Sequence, residues 1–301
     1  MATIYQQNFG SGGGLCGKAS VKIDTHIVVP CYNEEKRLDS LAFLDFAHSN
    51  KSIGITFVDD GSSDNTLEVL NKIVSQAPDQ LQVLTMKDNS GKAEAVRCGL
   101  ELACKSEYQF IGYWDADLAT PLDAILDFRK VMYRMQDVDI VYGARKMLMG
   151  HRIKRAPLRR LISSICAFLA RFAIALPVSD TQCGAKLFRN STLIQNALVH
   201  PFRAGWLFDI ELFTRMTRQM PTPRRAIYEY PLSEWDEVAG SNIDLKSIIK
   251  AGLSILYLIL RSRTIERRRF TRPPTHFSGA DYARRNNKVE LPMPDSKVAG
   301  H

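Results

Sequence analysis

Two aspartates one residue apart, in Tyr113-Trp114-Asp115-Ala116-Asp117, are the best-placed groups for chemistry in this 301-residue chain. Hard carboxylate oxygens at that spacing, at the end of an aromatic and apolar run, can both face one cation. They suit Mg²⁺ or Mn²⁺ bridging to a diphosphate. A metal held there stabilises charge developing on a departing nucleoside diphosphate. Asp115 and Asp117 are therefore the expected metal ligands, with Asp117 also counted as catalytic. A second acidic group, Val58-Asp59-Asp60-Gly61-Ser62-Ser63-Asp64-Asn65-Thr66, lies on a tight Gly-Ser turn. Asp59 or Asp60 can accept hydrogen bonds from a base N–H or ribose hydroxyls, and Ser63 or Asp64 can cap the next helix. Asn89-Ser90-Gly91-Lys92 opens another helix, and a lysine at such an N-terminus suits an anion.

The second half carries two polar and aromatic clusters. These are Asp180-Thr181-Gln182-Cys183-Gly184-Ala185-Lys186 and Gly205-Trp206-Leu207-Phe208-Asp209-Ile210-Glu211. Acids set among apolar residues need partners, which makes Asp209 and Glu211 hard to read as ordinary core. One motif is a decoy. Gly12 to Lys18 fits the spacing of a phosphate-binding loop, but Ala19 stands where a metal-binding Ser or Thr belongs, and no apolar strand precedes it.

These groups must be positioned by elements, and the hydrophobic pattern supplies them. Apolar runs at residues 26–30, 53–59, 81–86, 109–114 and 138–143 read as strands. Helical patterns fall near 35–48 and then at Leu67, Leu70, Ile73, Val74 and Ala77. A third follows at Ala93, Val96, Leu100 and Ala103. Thr120-Pro121-Leu122-Asp123 reads as a cap, a first-turn proline and an acidic first turn. Alternating strands and helices imply an α/β fold, a mainly parallel sheet with helices on both faces. Ligands bind such sheets at the carboxyl ends of the strands. The residues just beyond those ends are Tyr32-Asn33-Glu34, Asp59-Asp60, Lys87-Asp88-Asn89, Asp115 with Asp117, and Arg145.

Composition narrows the class. Lys+Arg 40 against Asp+Glu 32 gives a net charge of +8, gathered around residues 151–160 and 261–272. That balance favours anionic partners. The six cysteines are scattered singly, so zinc is not expected and a reducing compartment is. No signal peptide and no spanning apolar run stand out. Residues 1–21 read as a flexible leader and 22–243 as one globular domain. Residues 244–269 read as an apolar helix with a basic end, and 270–301 as a disordered tail. No nucleic-acid motif accompanies the basic tail, so nucleic acid is not an expected partner.

Together, Val29-Pro30-Cys31-Tyr32-Asn33-Glu34, Val58-Asp59-Asp60-Gly61-Ser62 and Asp115-Ala116-Asp117 resemble the family 2 glycosyltransferases, in that family's order. Asp180-Thr181-Gln182-Cys183-Gly184 and Trp206-x-Phe208-Asp209-x-Glu211 extend the likeness to about residue 212. They narrow it to the dolichyl-phosphate β-glucosyltransferase and polyprenyl-phosphate mannosyltransferase branch, and look closest to the glucosyl enzymes. The resemblance implies a nucleotide-sugar transferase (GT-A) fold, an inverting reaction and a UDP-sugar donor. It also implies that Pro30, Tyr32, Glu34 and Asp60 line the nucleotide site, with Asp115 and Asp117 at the metal. There are departures: the glucosyl enzymes carry an N-terminal membrane helix, and the mannosyl branch has a Gln where Leu118-Ala119 stands here.

The expected reaction is transfer of a sugar, glucose first, to a polyprenyl or dolichyl phosphate. The alternatives are a hydroxyl acceptor on a polysaccharide or protein, or mannose from a GDP donor. A lipid phosphate is already anionic near neutral pH and needs cationic neighbours more than a base. Arg145 is expected near the diphosphate and Arg155 or Arg159 near the acceptor phosphate. Asp180, Gln182 and Trp206 are assigned to the acceptor side, Lys92 to the donor, and Asp209 is the candidate base for a hydroxyl acceptor. The apolar stretches 161–177 and 248–260, with basic flanks, are expected to rest at a membrane surface from the cytoplasmic side. Nothing in the sequence sets the oligomeric state.

Overall fold

The computed structural model describes residues 4–5, 22–146, 149–150, 152–154, 178 and 180–236. Arg155, Arg159, the apolar stretches 161–177 and 248–260, and the segments 244–269 and 270–301 lie outside the described residues. Among the described residues no helix is long and apolar enough to cross a membrane.

A short strand β1 (Ile4–Tyr5) is followed by β2 (Thr25–Cys31), α1 (Ser40–Ser49) and β3 (Ile53–Asp59). Then come α2 (Thr66–Gln76), β4 (Leu81–Met86), α3 (Lys92–Cys104), β5 (Phe110–Trp114), α4 (Ala124–Arg134) and β6 (Ile140–Ala144). The remainder comprises β7 (Arg152–Lys154), β8 (Ala185–Arg189), α5 (Thr192–Leu198) and α6 (Phe208–Thr217). A four-residue α7 (Pro223–Ala226), β9 (Ile227–Pro231) and β10 (Glu234–Asp236) end it. Ile4–Tyr5 fall inside the expected leader, yet they pair antiparallel with the edge of β4.

The main sheet has the order β1-β4-β3-β2-β5-β8-β6-β9, and β7 with β10 forms a separate parallel ribbon. β2, β3, β4 and β5 run parallel, as do β6 and β9. β8 is antiparallel to both its neighbours. The chain steps outward from β2 to β3 to β4, then returns to add β5 on the other side of β2. That reversal opens a crevice beyond the carboxyl ends of β2 and β5, the site where parallel sheets take ligands.

Strand periodicity divides the core between the two faces. On β2, Val28 faces the layer of α3, α5 and α6, while Ile27 and Val29 face that of α1, α2 and α4. On β5, Ile111 and Tyr113 take the first side, Phe110 and Trp114 the second. The first side is the one on which α6 brings Asp209 to Tyr113.

Candidate active site

The crevice is built from loops that are tied together before any ligand arrives. After β2, Asn33 adopts a positive φ of 54°, a conformation Asn tolerates. Its N–H donates to Ser62 Oγ at 3.0 Å, and its Oδ1 accepts from Ser63 N at 2.9 Å. Glu34 N donates to Thr66 Oγ1 at 2.8 Å, so the turns after β2 and β3 are laced to each other. The Glu34 carboxylate lies 3.2 Å from Arg37 Nε. Burial raises the Glu34 carboxyl above its usual range; Arg37 opposes this, while Asp117, Asp64 and Asp115 add to it. Pro30 is half-buried at the end of β2, and the next residue but one, Tyr32, is 45% exposed at the mouth.

Asp59 and Asp60 are both buried, and both are committed to backbone amides. Asp59 Oδ1 accepts from Ser62 N at 3.2 Å. Asp60 accepts Ser90 N on one oxygen and Gly91 N on the other, each at 2.8 Å. Burial raises the Asp60 carboxyl while those two amides pull it down. The sequence reading gave these acids to the ligand. Asp60, expected at the nucleotide, also anchors the start of α3 by taking the Ser90 and Gly91 amides. Asp64, one of the two expected caps, accepts from Thr66 at the start of α2 through both its N–H, at 3.0 Å, and its hydroxyl, at 2.5 Å.

Asp115 sits at the end of β5 with its carboxylate pressed against Gly184. A Cβ at residue 184 would come within 1.9 Å of Asp115 Oδ2, so the approach requires glycine. Asp115 N also donates to Gly184 O at 3.0 Å. The Lys92 ammonium lies 2.5 Å from Asp115 Oδ1. Desolvation works against that ammonium, but the charge and hydrogen bond of Asp115, with Asp209 and Asp117 beyond, raise its pKa. Asp117 accepts from Ala119 N at 3.1 Å across a turn in which Leu118 has a φ of 52°. Burial raises the Asp117 carboxyl, and Asp115 raises it further. Two adjacent carboxylates, one already holding a cationic nitrogen and one unfavourably charged, fit a divalent cation of the hard, oxygen-loving kind. Among the described residues, no group of three or more His, Cys, Asp or Glu could hold a metal. A divalent cation takes more ligands than two carboxylates supply, and a substrate or water can provide them.

Arg145 is tied to Asp180. Its Nε and Nη2 grip Asp180 at 2.7 and 2.6 Å, its own N–H adds a third bond at 3.0 Å, and its guanidinium lies 5.0 Å from the centre of the Trp235 ring. Arg145 and Asp180, expected near diphosphate and acceptor respectively, hold each other as a buried bidentate pair. Beside them, Thr181 Oγ1 and Gln182 Nε2 are buried with no hydrogen-bond partner among the described residues. Trp206, at 45% exposure, stands on the one-turn 3₁₀ segment Gly205–Leu207 that precedes α6.

Asp209 corrects the sequence reading most clearly. Its Oδ1 accepts a short hydrogen bond from Tyr113 and lies 2.9 Å from Lys186 Nζ. Lys186 is 0% exposed; it also donates to Cys183 O at 2.5 Å and lies 5.0 Å from the centre of the Tyr113 ring. The expected base is thus the counter-ion of a fully buried lysine. Glu211 is likewise structural: it accepts from Arg203 N and Ala204 N at 2.7 and 2.8 Å and from Arg215 Nη2 at 2.7 Å. Lys186 was missed as a site residue. The available signal was a lone charge in the middle of the apolar strand Ala185-Lys186-Leu187-Phe188, which demands a buried partner.

A mainly parallel sheet thus carries an acidic pair at its switch point, faced by a lysine at a helix start. Residues 26–195 match the glycosyl transferase family 2 model, and the chain belongs to that family; it is a glycosyltransferase. Among curated proteins, the chain is 31% identical to a dolichyl-phosphate β-glucosyltransferase of Trichomonas vaginalis, over 80% of this chain and 72% of that one. It is 30% identical to the Homo sapiens dolichyl-phosphate β-glucosyltransferase, over 79% of this chain and 75% of that one. Among solved structures it resembles glucosyl-3-phosphoglycerate synthase from Mycobacterium tuberculosis in complex with Mn²⁺, UDP and glucosyl-3-phosphoglycerate. There the TM-score is 0.56 at 16% identity, over 78% of this chain and 79% of that one, a likeness of fold.

Proposed function

We propose that this glycosyltransferase moves glucose from UDP-glucose to the phosphate of a dolichyl or other polyprenyl phosphate, with inversion. The observation that carries the reading is the acid pair Asp115 and Asp117 at the end of β5, faced by Lys92. The acceptor is supported by the names of the relatives that match most of the chain. The donor and the divalent metal are supported by the UDP and Mn²⁺ in the similar fold.

A phosphate oxygen of the acceptor forms a bond to the anomeric carbon as the bond from that carbon to the diphosphate oxygen breaks. The electron pair leaves with UDP, and no proton has to move. An acceptor phosphate is anionic near neutral pH, since its second pKa is about 6. This suits a site in which Asp209 is already engaged by Tyr113 and Lys186. Asp115 and Asp117 would hold Mg²⁺ or Mn²⁺, which supplies neutralisation of the diphosphate charge. Lys92 adds a cation on the same side, and Tyr32 and Trp206 offer exposed aromatic faces at the mouth. Arg155 and Arg159 are proposed for the acceptor phosphate. The apolar stretches 161–177 and 248–260 are proposed to rest on the cytoplasmic membrane surface, bringing the isoprenoid to the crevice.

The test is transfer of label from UDP-[³H]glucose into an organic phase containing dolichyl phosphate, with Mn²⁺ or with excess chelator. Label in the lipid phase should depend on metal and fall by at least about 10³-fold in Asp117→Asn, the scale of losing a main electrostatic contact. Lipid label that survives both chelator and Asp117→Asn would overturn the reading.

A further inference from the structure

We propose that Lys92 is a built-in competitor for the divalent cation. With the nucleotide site empty, its ammonium occupies the place on Asp115 that the metal needs, so the metal loads with the nucleoside diphosphate rather than before it. This rests on the reading of Asp115 and Asp117 as the metal site.

Three features carry the inference. The first is position: Lys92 Nζ lies 2.5 Å from Asp115 Oδ1, within the reach of a coordinating cation on the same oxygen. Metal–oxygen distances are about 2.0–2.6 Å for such ions, so ammonium and metal cannot share that direction. The second is which partner can move. The Asp115 carboxylate is wedged against Gly184, where even a methyl group has no room. The Lys92 side chain is 46% exposed on a flexible stem, and a Cβ at the neighbouring Gly91 would meet nothing within 4 Å. The lysine is therefore the partner that swings. The third is why it would let go. Ser90 N and Gly91 N are taken by Asp60, so a diphosphate arriving near the start of α3 finds the Lys92 ammonium rather than those amides. The diphosphate offers the ammonium a new anion and the metal further oxygen ligands.

The consequence is strong synergy between metal and nucleotide, since whatever draws Lys92 away raises the affinity of Asp115 for the cation, and the coupling is reciprocal.

The experiment measures free Mn²⁺ by electron paramagnetic resonance, titrating Mn²⁺ alone and Mn²⁺ with UDP into wild type, Lys92→Gln and Lys92→Arg. Lys92 is exposed, so both variants should melt with the wild type. Lys92→Gln should bind Mn²⁺ alone at least about tenfold tighter than wild type, and UDP should enhance its Mn²⁺ binding less. Lys92→Arg, which keeps the charge, should stay with the wild type. If wild type binds Mn²⁺ with UDP but Lys92→Gln binds Mn²⁺ alone no tighter, the competition is refuted while the metal site stands. If no protein binds Mn²⁺ even with UDP, the competition and the metal reading fall together.

Discussion

Asp115 owes its role to what surrounds it more than to its type. Its backbone is held in register by Gly184, its Oδ2 face has room only because residue 184 lacks a Cβ, and its Oδ1 holds Lys92. Gly184→Ala should therefore displace the carboxylate, since the methyl group would come within 1.9 Å of it. Misplacement on this scale costs catalysis about 10²-fold. Steady-state kinetics should show that loss in kcat/KM with Mn²⁺ binding weakened, while circular dichroism shows the fold intact. Unchanged kinetics would mean that Asp115 is not where catalysis depends on it. At this scale the placing of Asp115 and Asp117 just beyond the end of β5 was legible, because they follow an aromatic and apolar run of strand length. Asp209 was legible as a buried acid but not in its role, because the sequence does not show that Tyr113 and Lys186, 96 and 23 positions earlier, converge on it. Arg145 and Asp180 were both picked out, yet not as each other's partner.

The elements show a site made by turns pinned to turns. Asn33 and Glu34 tie the end of β2 to the turn after β3, and Asp60 ties that turn to the start of α3, where Lys92 begins. Asp60→Asn leaves one of the two amides of Ser90 and Gly91 facing an amide nitrogen instead of an acceptor. The loss of one buried acceptor costs about 1–3 kcal/mol. Thermal melting should fall by roughly 2–4 °C per kcal/mol for a domain of this size. UDP affinity should fall with it, because the helix start that carries Lys92 loosens. Full retention of both would show that the clamp is dispensable. The five strands read from the pattern lie within a residue or two of the observed ones, and the starts of α2 and α3 agree, but those of α1 and α4 do not. α1 begins at Ser40 behind Asp39, whose Oδ1 caps Ala42 N at 3.0 Å, rather than near residue 35. Residues 121–123 form a turn before α4, and the helix begins at Ala124.

For the molecule as a whole, the alternation of strand and helix through residue 144 was enough to give a parallel sheet with two covered faces. The antiparallel β8 between β5 and β6 was not readable, because periodicity assigns an element its type and not its neighbours. β8 nonetheless completes the site: it delivers Gly184 to Asp115 and Lys186 to Asp209. The whole arrangement, with Asp115 pressed against Gly184, Lys92 half-exposed beside it and Asp209 tied to a buried lysine, suits the proposed acceptor that brings its own negative charge. The most direct test offers UDP-[³H]glucose and Mn²⁺ to the detergent-solubilised protein with dolichyl phosphate or with dolichol. The expected result is metal-dependent glucosylation of the phosphate and none of the free alcohol. Glucosylation of dolichol at a comparable rate would contradict the account, because it requires a protein base to take the hydroxyl proton.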